Sequence, residues 1–240
     1  MTNENLTSAR LAITNAMDCS YIVGNEEQLL FVLDKQVLND DSYEQLLAQG
    51  FRRSGGDIYR PHCPSCSACK SLRVDVEQFK PSTSQKRVNK KNAHIDWRAT
   101  LTPHPDHYPL YERYISERHQ DGSMYPPNPN HMENFTQCSW LQVMYVEGWL
   151  GDKLIAVAVT DLLPNALSAL YTFFSPELDK LSLGTACVLK QIEFAKQLEK
   201  KHVYLGYQID ECPAMNYKSR YRPHQEFVDG LWLPHKKASD

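Results

Sequence analysis

The stretch WLQVMYVEGWLGDKLIAVAVTDLLPNALSALYTFFSPELDKLSLGTACVLKQIEFAKQLEKKHVYLGYQI, residues 140–209, decides the fold. Residues 154–163 are apolar except for Thr160 and Asp161, the pattern of a strand buried on both faces. Pro164-Asn165 breaks that run. Leu167 restarts an apolar, aromatic-rich segment to Phe174, so the two predict an antiparallel hairpin. Gly151-Asp152 gives a second turn signal that pairs residues 141–149 with the segment from Leu154, completing a three-strand meander. After Ser175-Pro176, the residues Leu183, Ala186, Cys187, Leu189, Ile192, Ala195 and Leu198 recur at helical spacing, with Ser182 as the expected N-cap. Lys196, Lys200 and Lys201 crowd the last turn, where the helix dipole favours cations. Residues 203–205 then read as a short strand.

Outward from this core, 240 residues at 42% hydrophobic content can bury one large core or two modest ones. Two subdomains are expected, residues 1–103 and 104–240, divided at a polar stretch that carries Pro103 and Pro105. No apolar run approaches ~18 residues, and the start MTNENLTSAR lacks a charged segment followed by an apolar one. The expectation is a cytoplasmic protein without a membrane partner. Seven cysteines in such a chain point to reduced thiols or metal ligands rather than a disulfide framework. A net charge of -3 gives no global attraction to a polyanion, so any nucleic acid must meet a local patch.

Such a patch is present. From Phe79 to Ala93 the cations Lys80, Lys86, Arg87, Lys90 and Lys91 stand without a carboxylate. Helical spacing from Ser82 sets Lys86 with Lys90 and Arg87 with Lys91 at i, i+4, which is self-repelling unless an anion lies alongside. A phosphate backbone is that anion; a solvated basic face is the alternative. Upstream, Ser42 is the expected cap of a short helix closed by Gly50. Cys63, Cys66 and Cys69 form C-x2-C-x2-C, with Cys19 or His62 available as a fourth ligand. These thiols either hold zinc or an iron–sulfur cluster, or simply pack in a turn. Residues 72–76 alternate as a strand does, residues 108–120 read as a helix, and Pro126, Pro127 and Pro129 mark a rigid loop. Near the end, Lys218, Arg220 and Arg222 interleave with Tyr217 and Tyr221, a surface suited to a carboxylate or phosphate.

Cys19-Ser20-Tyr21, Gly50-Phe51-Arg52-Arg53-Ser54-Gly55, Tyr59-Arg60-Pro61 with the three-cysteine string, and Phe79-Lys80-Pro81-Ser82 through Gln85-Lys86-Arg87 carry a resemblance. So do Asp161-Leu162-Leu163-Pro164, Tyr171-Thr172-Phe173-Phe174, Leu183-Gly184-Thr185 and Met215-Asn216-Tyr217-Lys218. Over nearly its whole length the sequence resembles the aminoacyl-tRNA–protein transferases, and most closely the bacterial aspartate/glutamate leucyltransferases. The arginyl branch typically has an adjacent cysteine pair and a longer chain, so both departures favour the leucyl branch. Meander, helix and strand in that order are also similar to GCN5-like N-acetyltransferases. The expected fold is therefore α+β: a GCN5-like N-acetyltransferase-type mixed sheet with an N-terminal α/β subdomain bearing the cysteine string. The glycine-rich loop that wraps CoA pyrophosphate is reduced here to Ser182-Leu183-Gly184-Thr185.

The resemblance implies transfer of leucine from leucyl-tRNA to the α-amine of proteins beginning with Asp or Glu, marking them for the N-degron degradation pathway. An aminoacyl ester is already activated, so no cofactor is required for transfer. The enzyme's work is to position two reactants and to handle the proton of an α-amine that titrates near ~7.7–8.0. Asp161, a carboxylate in an apolar strand, is the expected proton acceptor, with Tyr171 and Gln208 as alternatives. Arg52, Arg53, Lys218 and Arg220 are expected to hold the acceptor's acidic side chain; Lys86, Arg87, Lys90 and Lys91 are expected to hold tRNA. Cys19, Cys63, Cys66 and Cys69 are the candidate metal ligands. The rival readings are a CoA-dependent N-acetyltransferase, arginyl rather than leucyl transfer, and a non-enzymatic RNA-binding module.

Overall fold

A strand that is apolar on both faces needs neighbours on both edges and cover above and below, and the sheet supplies all four. The computed structural model describes residues 8–122 and 124–234. In chain order they form β1 (Leu11–Ile13), β2 (Met17–Asp18), β3 (Glu26–Glu27), β4 (Leu29–Val32), α1 (Asp40–Ala48), β5 (Arg52–Ser54), β6 (Asp57–Pro61) and β7 (Lys70–Asp75). Then come α2 (Thr83–Lys91), β8 (Asp96–Thr100), α3 (His107–Arg118) and α4 (Pro129–Thr136). The rest of the chain forms β9 (Val143–Leu150), β10 (Lys153–Leu162), β11 (Ala166–Phe174), α5 (Leu183–Gln197), β12 (His202–Gln208), β13 (His224–Val228) and β14 (Leu231–Pro234).

Eight strands make one mixed sheet in the order β14-β13-β7-β12-β11-β10-β9-β8. The meander β9-β10-β11 is antiparallel as expected, and α5 carries the chain across to β12, which runs parallel to β11. Two of the strands, β7 and β8, precede residue 104, so the sheet is shared across that point in the chain. A four-stranded sheet in the order β1-β4-β6-β5 stands apart from it.

One face of the large sheet packs on α5: Val146, Ile155, Ala156, Ala158, Leu167 and Val203 meet Leu183, Cys187, Ile192 and Ala195. The opposite face is covered in two parts. Tyr111, Tyr114 and Ile115 of α3 lie over Tyr145, Val157, Val159 and Phe173; Tyr43 and Leu47 of α1 share a cluster with Leu163, Ala166 and Tyr204. Burial of each such aliphatic or aromatic side chain contributes roughly 1.5–3 kcal/mol against an unfolded reference, so these three clusters hold the layers together.

Several local expectations change. The cap of α1 is Asn39, whose side chain accepts from Ser42 N, because the helix starts ahead of Ser42 rather than at it. Gly50 does follow the helix in a left-handed conformation, φ +82°. Ser182 precedes α5 but is itself left-handed, φ 54° and ψ 48°, and its hydroxyl makes no cap. The proline-rich segment is only partly a loop: Asn128 accepts from Asn130 N and His131 N, and Pro129 takes the first turn of α4, where no N–H is needed. Among the described residues no helix is long and apolar enough to cross a membrane.

Candidate active site

The sheet opens where β11 and β12 part. Their parallel ladder has three rungs, Ala166 with His202, Leu167 with Val203 and Ser168 with Tyr204. Beyond them β11 stays with β10 as far as Phe174, while β12 stays with β7 as far as Gln208. Both strands carry a register shift at this point, between Val159 and Thr160 on the β10–β11 side and between Tyr204 and Gly206 on the β12–β7 side. Extra residues of this kind bend a strand and re-aim its groups.

Arg52 bridges the fork. Its Nη2 donates to Ala169 O at 2.7 Å, the first carbonyl of β11 past the last rung. On the other prong its Nη1 lies against Gly206: a Cβ there would stand 2.2 Å from that nitrogen, and the backbone, at φ +85°, is one that glycine accepts freely. The side chain is 7% exposed, yet Nη1 has no hydrogen-bond partner. One residue beyond Gly206, the Tyr207 carbonyl accepts from Lys218 Nζ, which also contacts Met215 Sδ at 3.1 Å and rides 5.6 Å from the centre of the Tyr217 ring. Lys218 is 5% exposed. Burial first, and then the Arg52 charge, bring its amine down to about 7. Gln208 is also buried; its Nε2 donates to Asp210 and its Oε1 has no partner. Arg52 Nη1 and Gln208 Oε1 are thus buried without partners on the two sides of Tyr207, and Lys218 feels the Arg52 charge.

Asp161 is not among them. Arg53 Nε donates to Asp161 Oδ1 at 2.8 Å and Arg53 Nη2 lies 2.6 Å from the same oxygen, with both side chains wholly buried. Tyr43 OH donates to the other oxygen at 3.3 Å and accepts from Arg53 N. Burial pushes the Asp161 carboxyl up and Arg53 works against that rise. The expectation of Asp161 as proton acceptor is corrected on this geometry: a carboxylate enclosed by a guanidinium and a phenol cannot meet an incoming amine. Arg53, fully engaged with Asp161, Gly55 O and Phe135 O, is likewise not free to hold an acidic side chain. Tyr171 packs among aromatic rings, 5.2 Å from Phe135 and 6.5 Å from Phe173, where burial raises its phenol. Arg220 is exposed, and its carbonyl accepts from Gln85 Nε2 at 3.3 Å.

A cleft of about 710 Å³ lies between the small sheet and the β7–β12–β13 side of the large one. Tyr21, Tyr59, Lys70, Tyr207 and Phe227 line it, and so do Cys19, Cys63, Cys66 and Cys69. The thiols are near enough for Cys69 to feel the other three, and burial together with them pushes it up to about 12. Cys63 Sγ donates to Gln28 O and Cys66 Sγ accepts from Asn25. Among the described residues no group of three or more His, Cys, Asp or Glu is arranged to hold a metal ion. The four expected ligands, Cys19, Cys63, Cys66 and Cys69, share one wall of this cleft.

The basic run is the helix its spacing predicts. Ser82 caps α2 in a capping box with Gln85, and Lys86, Arg87, Lys90 and Lys91 are all exposed on it. Gln85 is buried and ties this helix to the loop that carries Lys218. The sequence expectations do not include Gly206 as a point of close approach. Its signal is a glycine inside an otherwise apolar strand, which marks the nearness of another group.

Residues 17–87 match the family described as arginine-tRNA-protein transferase, N terminus, and residues 106–228 match the family described as arginine-tRNA-protein transferase, C terminus. A protein of Aeromonas hydrophila named aspartate/glutamate leucyltransferase is 48% identical over 223 residues, 93% of this chain and 94% of that protein. One of the same name from Vibrio cholerae is 46% identical over 231 residues, 96% and 99% of the two chains. Among solved structures, one described as the C-terminal domain of a putative lysylphosphatidylglycerol synthetase from Agrobacterium fabrum aligns with a TM-score of 0.51 at 10% identity. That alignment covers 88% of this chain and 79% of the other, a likeness of fold alone.

Proposed function

This chain belongs to the arginine-tRNA-protein transferase family, and on that premise we propose that it transfers leucine from leucyl-tRNA to the α-amine of proteins beginning with Asp or Glu. The observation that carries the choice of leucine is the near full-length similarity, at 46–48% identity, to proteins named aspartate/glutamate leucyltransferase. The product is a protein with a new N-terminal leucine, which in the cytoplasm marks it for the N-degron degradation pathway.

The forked sheet supports an acyltransferase of the GCN5-like type, in which the activated ester lies in the opening between β11 and β12. Residues 104–240 supply most of this part. Residues 1–103 supply the cysteine-bearing subdomain and the basic helix, and lend β7 and β8 to the sheet. The polyanionic donor lies along α2, where four exposed cations face solvent and none of the ion pairs found among the described residues involves them. The acceptor chain lies in the 710 Å³ cleft, whose lining includes Tyr207 of β12. Of the four cations expected to meet the acidic side chain, Arg52 is the one we assign: it is buried at the fork, held by Ala169 O, and has a nitrogen to spare. A buried guanidinium with an unmet donor is a site for a carboxylate, since such a donor otherwise costs about 1–3 kcal/mol.

Transfer needs little beyond alignment. The acceptor amine attacks the ester carbonyl, the C–N bond forms, and the ribose oxygen leaves with a proton; holding the two partners in register supplies much of the rate. The test is mass spectrometry of Asp-, Glu- and Arg-initiated peptides incubated with mixed charged tRNAs. The Asp and Glu peptides are expected to gain the mass of leucine while the Arg peptide stays unmodified. Addition of arginine, or acetylation when acetyl-CoA is supplied in place of charged tRNA, overturns this reading.

A further inference from the structure

A buried lysine without an anion beside it calls for an explanation. Lys218 Nζ has the Tyr207 carbonyl and the Met215 sulfur as its partners, with the Tyr217 ring beneath it; no carboxylate pairs with it among the described residues. The groups whose charge it feels are Arg52, Cys212 and Cys69, and of these only Arg52 carries a permanent one. A permanent cation on the same side of the fork makes a second positive charge costly, so the physical default for this amine is the neutral form.

We infer that Lys218 Nζ takes the proton from the acceptor's α-ammonium during leucyl transfer, with Arg52 as the positioning charge beside it. The inference rests on the leucyl-transfer reading above and on the assignment of the acceptor carboxylate to Arg52. One residue of the acceptor carries both groups: in aspartate the α-amine and the side-chain carboxyl are two carbons apart. Whatever lies next to Arg52 is therefore next to the amine, and Lys218 is the titratable cation on that flank of the fork. The two events are also coupled. A carboxylate bound to Arg52 offsets the guanidinium charge, so Lys218 becomes more basic when its proton acceptor role is needed. An acidic first residue thus switches on its own deprotonation, whereas an Asn of the same shape does not.

The protons balance. Lys218 takes one from the α-ammonium, and the freed amine bonds to the ester carbonyl carbon. The attacking nitrogen gives its remaining surplus proton to the departing ribose oxygen, and Lys218 returns its own to water. No oxidant, metal or nucleotide enters.

The experiment compares full-length wild type, Lys218→Arg and Lys218→Met for leucyl transfer to saturating Asp- and Asn-initiated peptides across pH 6 to 9. Wild type is expected to show a rise in kcat through about pH 7 with the Asn peptide, the same rise moved to higher pH with the Asp peptide, and a plateau kcat for the Asp peptide above that for the Asn peptide. Lys218→Arg keeps the charge and cannot give it up. It is expected to lose roughly 100-fold or more in kcat, to lose the limb near pH 7, and to bind leucyl-tRNA unchanged. A Lys218→Arg enzyme within threefold of wild-type kcat, or one changed only in KM, overturns the inference. If both variants fail to fold, ¹³C-lysine NMR on wild type decides. One lysine should titrate near 7 and move upward on addition of Asp peptide but not Asn peptide; if no lysine titrates below 9, the inference is wrong. Absence of leucyl transfer by wild type instead removes the functional reading itself, which keeps the two failures distinct.

Discussion

Arg53 and Asp161 are 108 residues apart in sequence and closed off from solvent together, Nε to Oδ1 at 2.8 Å. This pair fastens the small N-terminal sheet to β10, an interior strand of the large one. Removing one member leaves a buried charge unmatched. Asp161→Asn is therefore expected to lower unfolding free energy by about 3–5 kcal/mol, measured by urea denaturation, while Asp161→Leu combined with Arg53→Met recovers the larger part of that loss. A near-neutral Asp161→Asn would show that the pair is not holding the two sheets together.

The basic helix α2 makes a prediction in salt. Replacing Lys86, Arg87, Lys90 and Lys91 with Glu is expected to weaken leucyl-tRNA binding and to flatten log Kd against log salt by about 0.7–0.9 for each phosphate no longer neutralised. Fluorescence anisotropy over a salt titration measures both quantities. An unaltered slope would reduce α2 to a solvated basic face.

Gly206 makes a steric prediction. Gly206→Ala places a Cβ 2.2 Å from Arg52 Nη1 on a backbone at φ +85°. The guanidinium must leave the fork or the strand must shift, so transfer is expected to fall at least tenfold even where circular dichroism shows an intact fold. Shortening the Arg52 side chain to Ala in the same variant should relieve the clash and restore thermal stability without restoring activity.

Acid sensitivity follows from His202. Burial first, and then the Arg73 charge, hold its imidazole down at about 4, against 6.5 for the free side chain. The unfolded chain therefore binds a proton that the folded one refuses between these values, and stability is lost as pH falls from about 6.5 towards 4. His202→Gln should flatten the Tm–pH curve in that window; a curve identical to wild type would assign the acid sensitivity to other groups.

What is legible in the sequence and what is hidden divide along the range of the interactions. The meander, α5 and the capped basic helix are written in local periodicity and turn chemistry, and they fold where those signals lie. Asp161 stands out as a carboxylate in an apolar strand, but its partner is a distant arginine, so its role as a fastener is not readable. Lys218 looks like one of several cations in a polar loop; only the return of that loop over β12 buries it beside Arg52. The strand at Lys70–Asp75 is legible as a strand, whereas its insertion between β12 and β13 is a matter of tertiary pairing. The proline cluster misdirects the reading of α4, because proline at the first helical position starts a helix rather than breaking one.

That insertion of β7 limits how the molecule can be taken apart. A fragment beginning near residue 104 would expose the whole length of β12 as a raw, hydrogen-bond-hungry border and strand β13 and β14 on the far side of a gap. Anyone wishing to splice residues 104–234 onto a different module would have to carry Lys70–Asp75 along, or supply a surrogate strand in trans.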